Sequence, residues 1–300
     1  MSLDVPAGLT SRPLEMGDAH AVFEVMAAQE LEDLGLVSIE AADIVSDWSR
    51  PSFDVSASTV GVLDDDRLVA YAELSGGSRA DAAVHPAYRG RGIGTALAGW
   101  LQQRAREQGS DRIRMPVPAG SPGDRLLEAL GYDVWWDVWE LFLPEGASIP
   151  TRDLPAGFAL REATPADHAA CWTLFEDAFL EWAERERQPY EDFLAAIVGR
   201  PGFEPWHLRV VTDPRGEIVG AVNIVMFAGS EGYVNKVATR ADHRGRGIAQ
   251  ALLADAFATA RAHGATRSGL STDSRTGALG LYESVGMQVT STWLMRGTEV

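Results

Sequence analysis

The sequence is short of cysteine, of positive charge and of long apolar runs, and each shortage removes a class of function. Cys171 is the single cysteine among 300 residues, so no intrachain disulfide is possible. Four zinc ligands at the usual Cys/His spacing are also missing, so neither disulfide nor metal is expected to staple the fold, and a reducing compartment fits. Nowhere do about 18 or more apolar residues run together, the length that a membrane-spanning helix needs. The opening Met-Ser-Leu-Asp-Val-Pro lacks the basic stretch and apolar segment of a secretory signal. The expectation is a soluble, cytoplasmic protein with no membrane partner. Lys and Arg number 26 against 43 Asp and Glu, a net charge of -17. Phosphate backbones are bound by basic patches, so a nucleic-acid partner is not expected, while a cationic small molecule is welcome. Solubility alone also accounts for that charge. Cys171, beside Trp172 in an apolar-periodic segment, reads as core packing ahead of a reactive thiol.

What the sequence does have is length and repetition. With 46% apolar side chains, 300 residues suit two cores of about 150 residues each. Arg89-Gly90-Arg91-Gly92-Ile93-Gly94 recurs as Arg244-Gly245-Arg246-Gly247-Ile248-Ala249, and the same shift of 155 positions carries Gly131-Tyr132 onto Gly286-Met287. Earlier in each half, Arg12 stands six residues before Asp18, and Arg161 six before Asp167. Between these landmarks, residues 59–63 and 68–71 read as a hairpin across an acidic turn, matched by 208–211 and 218–221 across Asp213-Pro214-Arg215-Gly216.

The shared order is a strand, one or two helices, a three-stranded meander, a glycine-rich turn into a helix, a strand, a helix and two final strands. Each half is therefore expected to be a mixed α/β (α+β) domain, a central mixed and mostly antiparallel sheet flanked by helices. Residues 144–157, rich in Pro and Gly, break both periodicities and read as the linker between domains at 1–145 and 156–300. Two fused domains already make an internal pseudo-dimer, so a monomer is expected.

Helical spacing is plain after each glycine turn: Ile93, Leu97, Trp100, Leu101 and Ala105 up to Gly109, then Ile248, Leu252, Ala256, Phe257 and Ala260 up to Gly264. Strands at 81–85 and 233–239 precede them. Each turn thus joins a strand to a helix N-terminus, where peptide N–H groups converge on an anion. Glycines 90, 92, 245 and 247 remove the β-carbons that would hold a phosphate away, and Arg89, Arg91, Arg244 and Arg246 add positive charge. A dinucleotide fingerprint belongs to the first strand of a parallel sheet, and a P-loop ends in Gly-Lys-Ser/Thr; these turns come late and contain no lysine. A pyrophosphate cradle is the reading.

Segments 84–94 and 242–249 resemble the acetyl-CoA motif of the GNAT superfamily, Gln/Arg-x-x-Gly-x-Gly/Ala, and the resemblance covers nearly the whole chain as two domains. It implies acetyl-CoA lying between two splayed strands, held by Val237, Ala238, Thr239, Arg244, Gly245, Arg246, Gly247, Ile248 and Ala249. In the first half the corresponding residues are Val84, Arg89, Gly90, Arg91, Gly92, Ile93, Gly94 and Thr95. Two-domain members of this size include the mycothiol synthase type, from which the resemblance carries the architecture and not the acceptor.

The halves differ where chemistry belongs. Leu281-Tyr282-Glu283-Ser284-Val285-Gly286-Met287 resembles the family's Leu-Tyr-Glu-x-x-Gly-Phe/Met segment, whose tyrosine is often the general acid for the departing thiolate. The same shift puts Leu127 at that position in the first half, and leucine donates no proton. Tyr282 as a core tyrosine is the rival reading. The C-terminal half is thus the expected catalyst and the N-terminal half a scaffold, with a neutral small-molecule amine attacking the thioester and the oxyanion forming against a backbone N–H near Val237. Many relatives place a glutamate base where this chain has Tyr233. Glu231, two residues earlier and on the same strand face, is the candidate base, against an exposed turn carboxylate beside Gly229, Ser230 and Gly232. Acceptor recognition is expected among Trp172, Phe175, Phe179, Trp182 and Tyr190 and the acids around them, most of these aromatics building core. A non-catalytic acetyl-CoA sensor and an enzyme acting on protein amines are the alternatives.

Overall fold

A computed structural model describes residues 3–227 and 230–300 of the chain. It divides into two compact units, Met1–Val138 with Thr292–Val300, and Trp139–Ser291.

The first unit contains β1 (Thr10–Arg12), α1 (Ala19–Leu34), α2 (Ala41–Trp48), α3 (Val55–Ser58), β2 (Thr59–Asp64), β3 (Arg67–Ser75), β4 (Arg79–Val84), α4 (Ile93–Glu107), β5 (Arg112–Pro118), α5 (Pro122–Ala129) and the start of β6 (Asp133–Phe142). The second contains the end of β6, then β7 (Ala159–Glu162), α6 (His168–Leu180), α7 (Tyr190–Phe193), β8 (Leu208–Thr212), β9 (Ile218–Phe227), β10 (Glu231–Thr239), α8 (Ile248–Ala262), β11 (Arg267–Asp273), α9 (Leu279–Ser284) and the first residues of β12 (Gln288–Glu299). Each sheet is mixed and mostly antiparallel, with helices on both faces. In the first unit the order is β1-β2-β3-β4-β5 followed by the end of β12, and in the second β7-β8-β9-β10-β11 followed by the end of β6. Only β4 with β5 and β10 with β11 run parallel among these pairs of recorded register.

The Arg/Asp landmark is a clamp at the first strand-to-helix corner. Both Arg12 guanidinium ends donate to Asp18 at 2.7 Å, and those of Arg161 donate to Asp167 at 2.6 and 3.0 Å. The same carboxylates accept backbone N–H groups of Glu15 and Thr164, which caps the following helix. These contacts hold both carboxyls below the usual carboxylate range, the arginine hydrogen bond being the largest cause.

Cores lie on both faces of each sheet. In the second unit, Leu252, Phe257 and Ala260 of α8 pack with Val219, Val222 and Val234, while Cys171, Phe175 and Phe193 pack with Leu208, Val210 and Ala238 on the other face. Phe257 is fully buried, and removing a ring of that kind costs about 3–5 kcal/mol. Glycine at 220 and 232 brings α8 down onto the strands: a β-carbon at Gly220 would sit 2.7 Å from Ile248, and one at Gly232 2.5 Å from Ala260. Cys171 is wholly buried, and burial pushes its thiol up to about 12, which makes it inert core.

In place of two final strands, each half ends in a single long one, ten residues in β6 and twelve in β12. No glycine or proline interrupts Trp135-Trp136-Asp137-Val138-Trp139. The one glycine of β12, Gly297, instead receives the ring of Trp135, which fills the place its β-carbon would take. No helix among the described residues is long and apolar enough to cross a membrane.

Candidate active site

Gly245 and Gly247 have φ of 74° and 83°, the left-handed region in which a β-carbon is strained, and Gly247 caps α8. Through this turn, no backbone carbonyl among the described residues accepts from the amides of 245–250; the first intrahelical bond runs from Ala251 N to Gly247 O at 3.0 Å. Six donors at the positive end of a 15-residue helix make an anion site. At the strand end leading into it, Thr239 Oγ1 is buried with no partner among the described residues. The pyrophosphate of acetyl-CoA fits this donor set.

The motif arginines are less available than their charge suggests. Arg244 is held by Glu181 of the α6 C-terminus at 2.6 Å through both guanidinium nitrogens, a contact that lowers the Glu181 pKa. Arg246 donates to Asp242 O at 3.2 Å, leaving its charge without a carboxylate in that contact.

Strands β10 and β11 are paired over Glu231–Val234 with Arg267–Leu270 and no further. Beyond Val234 the register of β10 against β9 slips by one residue, a bulge at Asn235. Asn235 donates to the side chain of buried Asn223, which donates to His207 O. The bulge bends β10, and the stretch left unpaired with β11 holds Val237, Ala238 and Thr239, which stay in register with β9 just ahead of the cradle.

Tyr282 lies on α9, 8% exposed, within the core cluster that contains Ile248 and Leu252. Burial raises its pKa to about 12, so the phenol keeps its proton at neutral pH. Leu127 at the corresponding place is also buried in its core.

Glu231 begins β10 on the paired side of the bulge, four residues or roughly 13 Å of strand away from Asn235. It pairs with Arg267 at 3.3 Å, and burial raises its pKa. Gly229, beside it in the sequence, lies outside the described residues. Tyr233 has a carboxylate of its own that sequence reasoning missed: its hydroxyl donates to Glu140 Oε2 of β6 at 2.7 Å. Burial drives the Tyr233 pKa well above 10. The position at which the family resemblance implies a glutamate base thus holds a tyrosine bonded to one. Glu140 is 93 residues away in the sequence, and no local pattern points to it.

Of the predicted acceptor-side aromatics, Phe175 is core, and Trp172 donates its ring N–H to Gln188 O at 2.9 Å. Phe179 and Trp182 pack edge to face, with Lys236 over the Phe179 ring at 5.0 Å and Arg275 over Trp182 at 4.8 Å. Lys236 is the sole lysine of the chain.

The first unit repeats the cradle. Gly90 and Gly92 have φ of 74° and 86°, and Arg89 pairs bidentately with Asp33 at 2.8 Å. Arg91 stacks over Tyr88 at 4.7 Å. Ile93 is buried at the start of α4, and Gly94, which packs against Leu126, and Thr95 follow it in the first turn. Strand β4 carries no bulge against β3, and the amide of Val84 at its end is taken by Gln29 of α1 at 3.0 Å.

The Acetyltransferase (GNAT) family model matches residues 24–132 and 168–287. A mycothiol acetyltransferase of Salinispora arenicola is 34% identical over 241 residues, covering 74% of this chain and 75% of its own. That of Salinispora tropica is 34% identical over 236 residues, covering 73% and 74%. Among solved structures, a GCN5-related N-acetyltransferase from Sphaerobacter thermophilus superimposes with a TM-score of 0.75 at 27% identity over 99% of this chain and 97% of that one. A tandem GNAT protein from the clavulanic acid biosynthesis pathway shares the fold, with a TM-score of 0.72 at 18% identity over 97% and 98%. With one family match on each half, the chain belongs to the acetyltransferase (GNAT) family, as a tandem N-acetyltransferase whose acetyl donor is acetyl-CoA.

Proposed function

We propose that the C-terminal unit transfers the acetyl group to the primary amine of a small molecule by direct attack, with the N-terminal unit as scaffold. The observation that carries this reading is Tyr282, a buried phenol that keeps its proton, opposite Leu127 in the other copy of the fold. The relatives' name, mycothiol acetyltransferase, supports a small-molecule acceptor.

Acetyl-CoA supplies the activated thioester when bound. The amides of 245–250 and Thr239 hold its phosphates, the unpaired stretch of β10 offers a backbone N–H near Val237 to the carbonyl oxygen, and Tyr282 Oη gives its proton to the leaving sulfur. As the N–C bond forms and the C–S bond breaks, the amine proton leaves for a carboxylate. Glu140 receives it through Tyr233, whose hydroxyl passes one proton on as it takes another. Glu231 is the competing acceptor, farther from the bulge and already paired with Arg267.

Tyr282→Phe tests the assignment. Turnover, followed as free thiol release across a panel of amines, is expected to fall about 10²-fold with the acetyl-CoA Kd unchanged by calorimetry. Unchanged turnover would return Tyr282 to the core. The molecule is expected to sediment as a 32.4 kDa monomer.

A further inference from the structure

The segment joining β6 to β7 is more than a tether. Ile149 is buried in the core of the second unit, Pro150 O accepts a hydrogen bond from Gln250 of α8 at 2.9 Å, and Leu154 packs on the same core. Thr151–Asp153 is therefore held as a short strap beside the N-terminus of α8. From it, the Arg152 side chain runs across the open face of Gly247: an ideal β-carbon there would lie 2.5 Å from Cδ, 2.6 Å from Nε and 3.2 Å from Cγ.

This is an adverse place for an unpaired cation. The helix N-terminus presents its own partial positive charge, and cations there are disfavoured. Of the neighbouring arginines, Arg244 is compensated by Glu181 and Arg240 by Asp242 and Glu217, while Arg246 donates only to the Asp242 carbonyl, although the chain has far more acid than base. Arg152 has no carboxylate partner among the described residues. The contact occurs in one unit only, because nothing lies within 4 Å of the corresponding β-carbon position at Gly92. Arg152 thus lies against the turn whose amides 245–250 have no acceptor among the described residues, just past the strand end that carries the buried Thr239 hydroxyl, and a doubly charged phosphate group would satisfy the amides and the guanidinium together.

We infer that Arg152 is a phosphate-binding residue of the C-terminal acetyl-CoA site, supplied by the strap between β6 and β7 and absent from the N-terminal copy. This rests on the cofactor reading of the cradle given above. Arg152 contributes binding energy to the nucleotide end of the donor and leaves the reacting thioester untouched.

Calorimetry tests it on the full-length chain carrying Gly92→Glu, so that only the C-terminal site is titrated. Acetyl-CoA and phosphate-free S-acetylpantetheine are compared for Arg152 and for Arg152→Ala. The expected result is about a 5- to 20-fold weaker Kd for acetyl-CoA, within the range of an exposed charge-assisted contact. Competition by S-acetylpantetheine should be unchanged, and Arg152→Lys should recover part of the loss. Equal or tighter acetyl-CoA binding by Arg152→Ala would overturn the inference and make the strap a mere cover. Should the Gly92→Glu parent itself fail to bind acetyl-CoA, the cofactor reading of residues 244–250 fails first, whatever Arg152 does.

Discussion

The two copies of the glycine turn have nearly the same backbone and different surroundings. Gly90 and Gly245 share φ of 74°, Gly92 and Gly247 differ by 3°, and each first arginine is locked to an acid from a helix on the other face of the sheet. Around this common part, the second unit has a bulge at Asn235, a buried phenol at 282 and Lys236 where the first has no bulge, Leu127 and Asp81. Gln29 closes the Val84 amide in the first unit, and among the described residues no side chain accepts from the corresponding Thr239 amide. Anion binding by a turn is a backbone property and tolerates divergence of side chains. Catalysis depends on particular side chains and is lost when one changes.

The comparison breaks hardest at the cradle. Gly247→Glu puts a carboxylate and a β-carbon at φ 83° into the anion site, and acetyl-CoA turnover is expected to fall more than 10³-fold. Gly92→Glu should leave turnover within about twofold, as thiol release would show; equal losses would make both units necessary for catalysis. Next in size is Arg296, which belongs to the first unit and is nearly buried between Asp124 at 2.7 Å and Tyr132 O at 2.8 Å. Arg296→Ala leaves Asp124 buried and unpaired, with an expected loss of about 3–5 kcal/mol in denaturant unfolding. Carboxylate roles in the second unit are sharpened by Glu140→Gln and Glu231→Gln. The first is expected to lower kcat about tenfold and flatten the acid limb of the pH–rate profile, and the second to leave the profile in place; the reverse result would restore Glu231 as base.

The smallest effect concerns acids that only the first unit carries. Glu73, paired in register with Asp81 and bonded to the Trp48 ring N–H at 2.8 Å, is raised to about 7, chiefly by burial and then by the Asp81 charge. Its folded pKa lies above its unfolded one, so the stability it confers is full below pH 4.5 and is lost as pH rises through about 7. Glu73→Gln should therefore raise stability at pH 8 by about 1–2 kcal/mol relative to its effect at pH 5, read by thermal unfolding at both values.

Much of this was legible in the sequence, for identifiable reasons. The glycine turns, the helices that follow them and the Arg/Asp clamps are local patterns, and the repeat let each be checked against its copy. Repetition also isolated Tyr282, because Leu127 stands where the fold tolerates either residue. Glu140 was illegible because the partner of Tyr233 comes from a strand that the sequence assigns to the other half. Asn235 was illegible because a one-residue bulge leaves strand alternation almost unchanged. Arg152 lay in a stretch that reads only as a linker, since Pro and Gly signal the end of regular structure and say nothing of what a side chain there covers.

Residues Thr292–Val300 belong to the first unit although the whole of the second unit precedes them in the chain. Strand β12 supplies the antiparallel neighbour of β5 from Trp293 to Glu299, together with the guanidinium that pairs with Asp124. A nascent first unit therefore keeps the edge of β5 open until the second unit has been made, the state in which strand edges invite wrong pairing. The usual vectorial order, N-terminal domain first, gives way to a first unit that is completed only after the second.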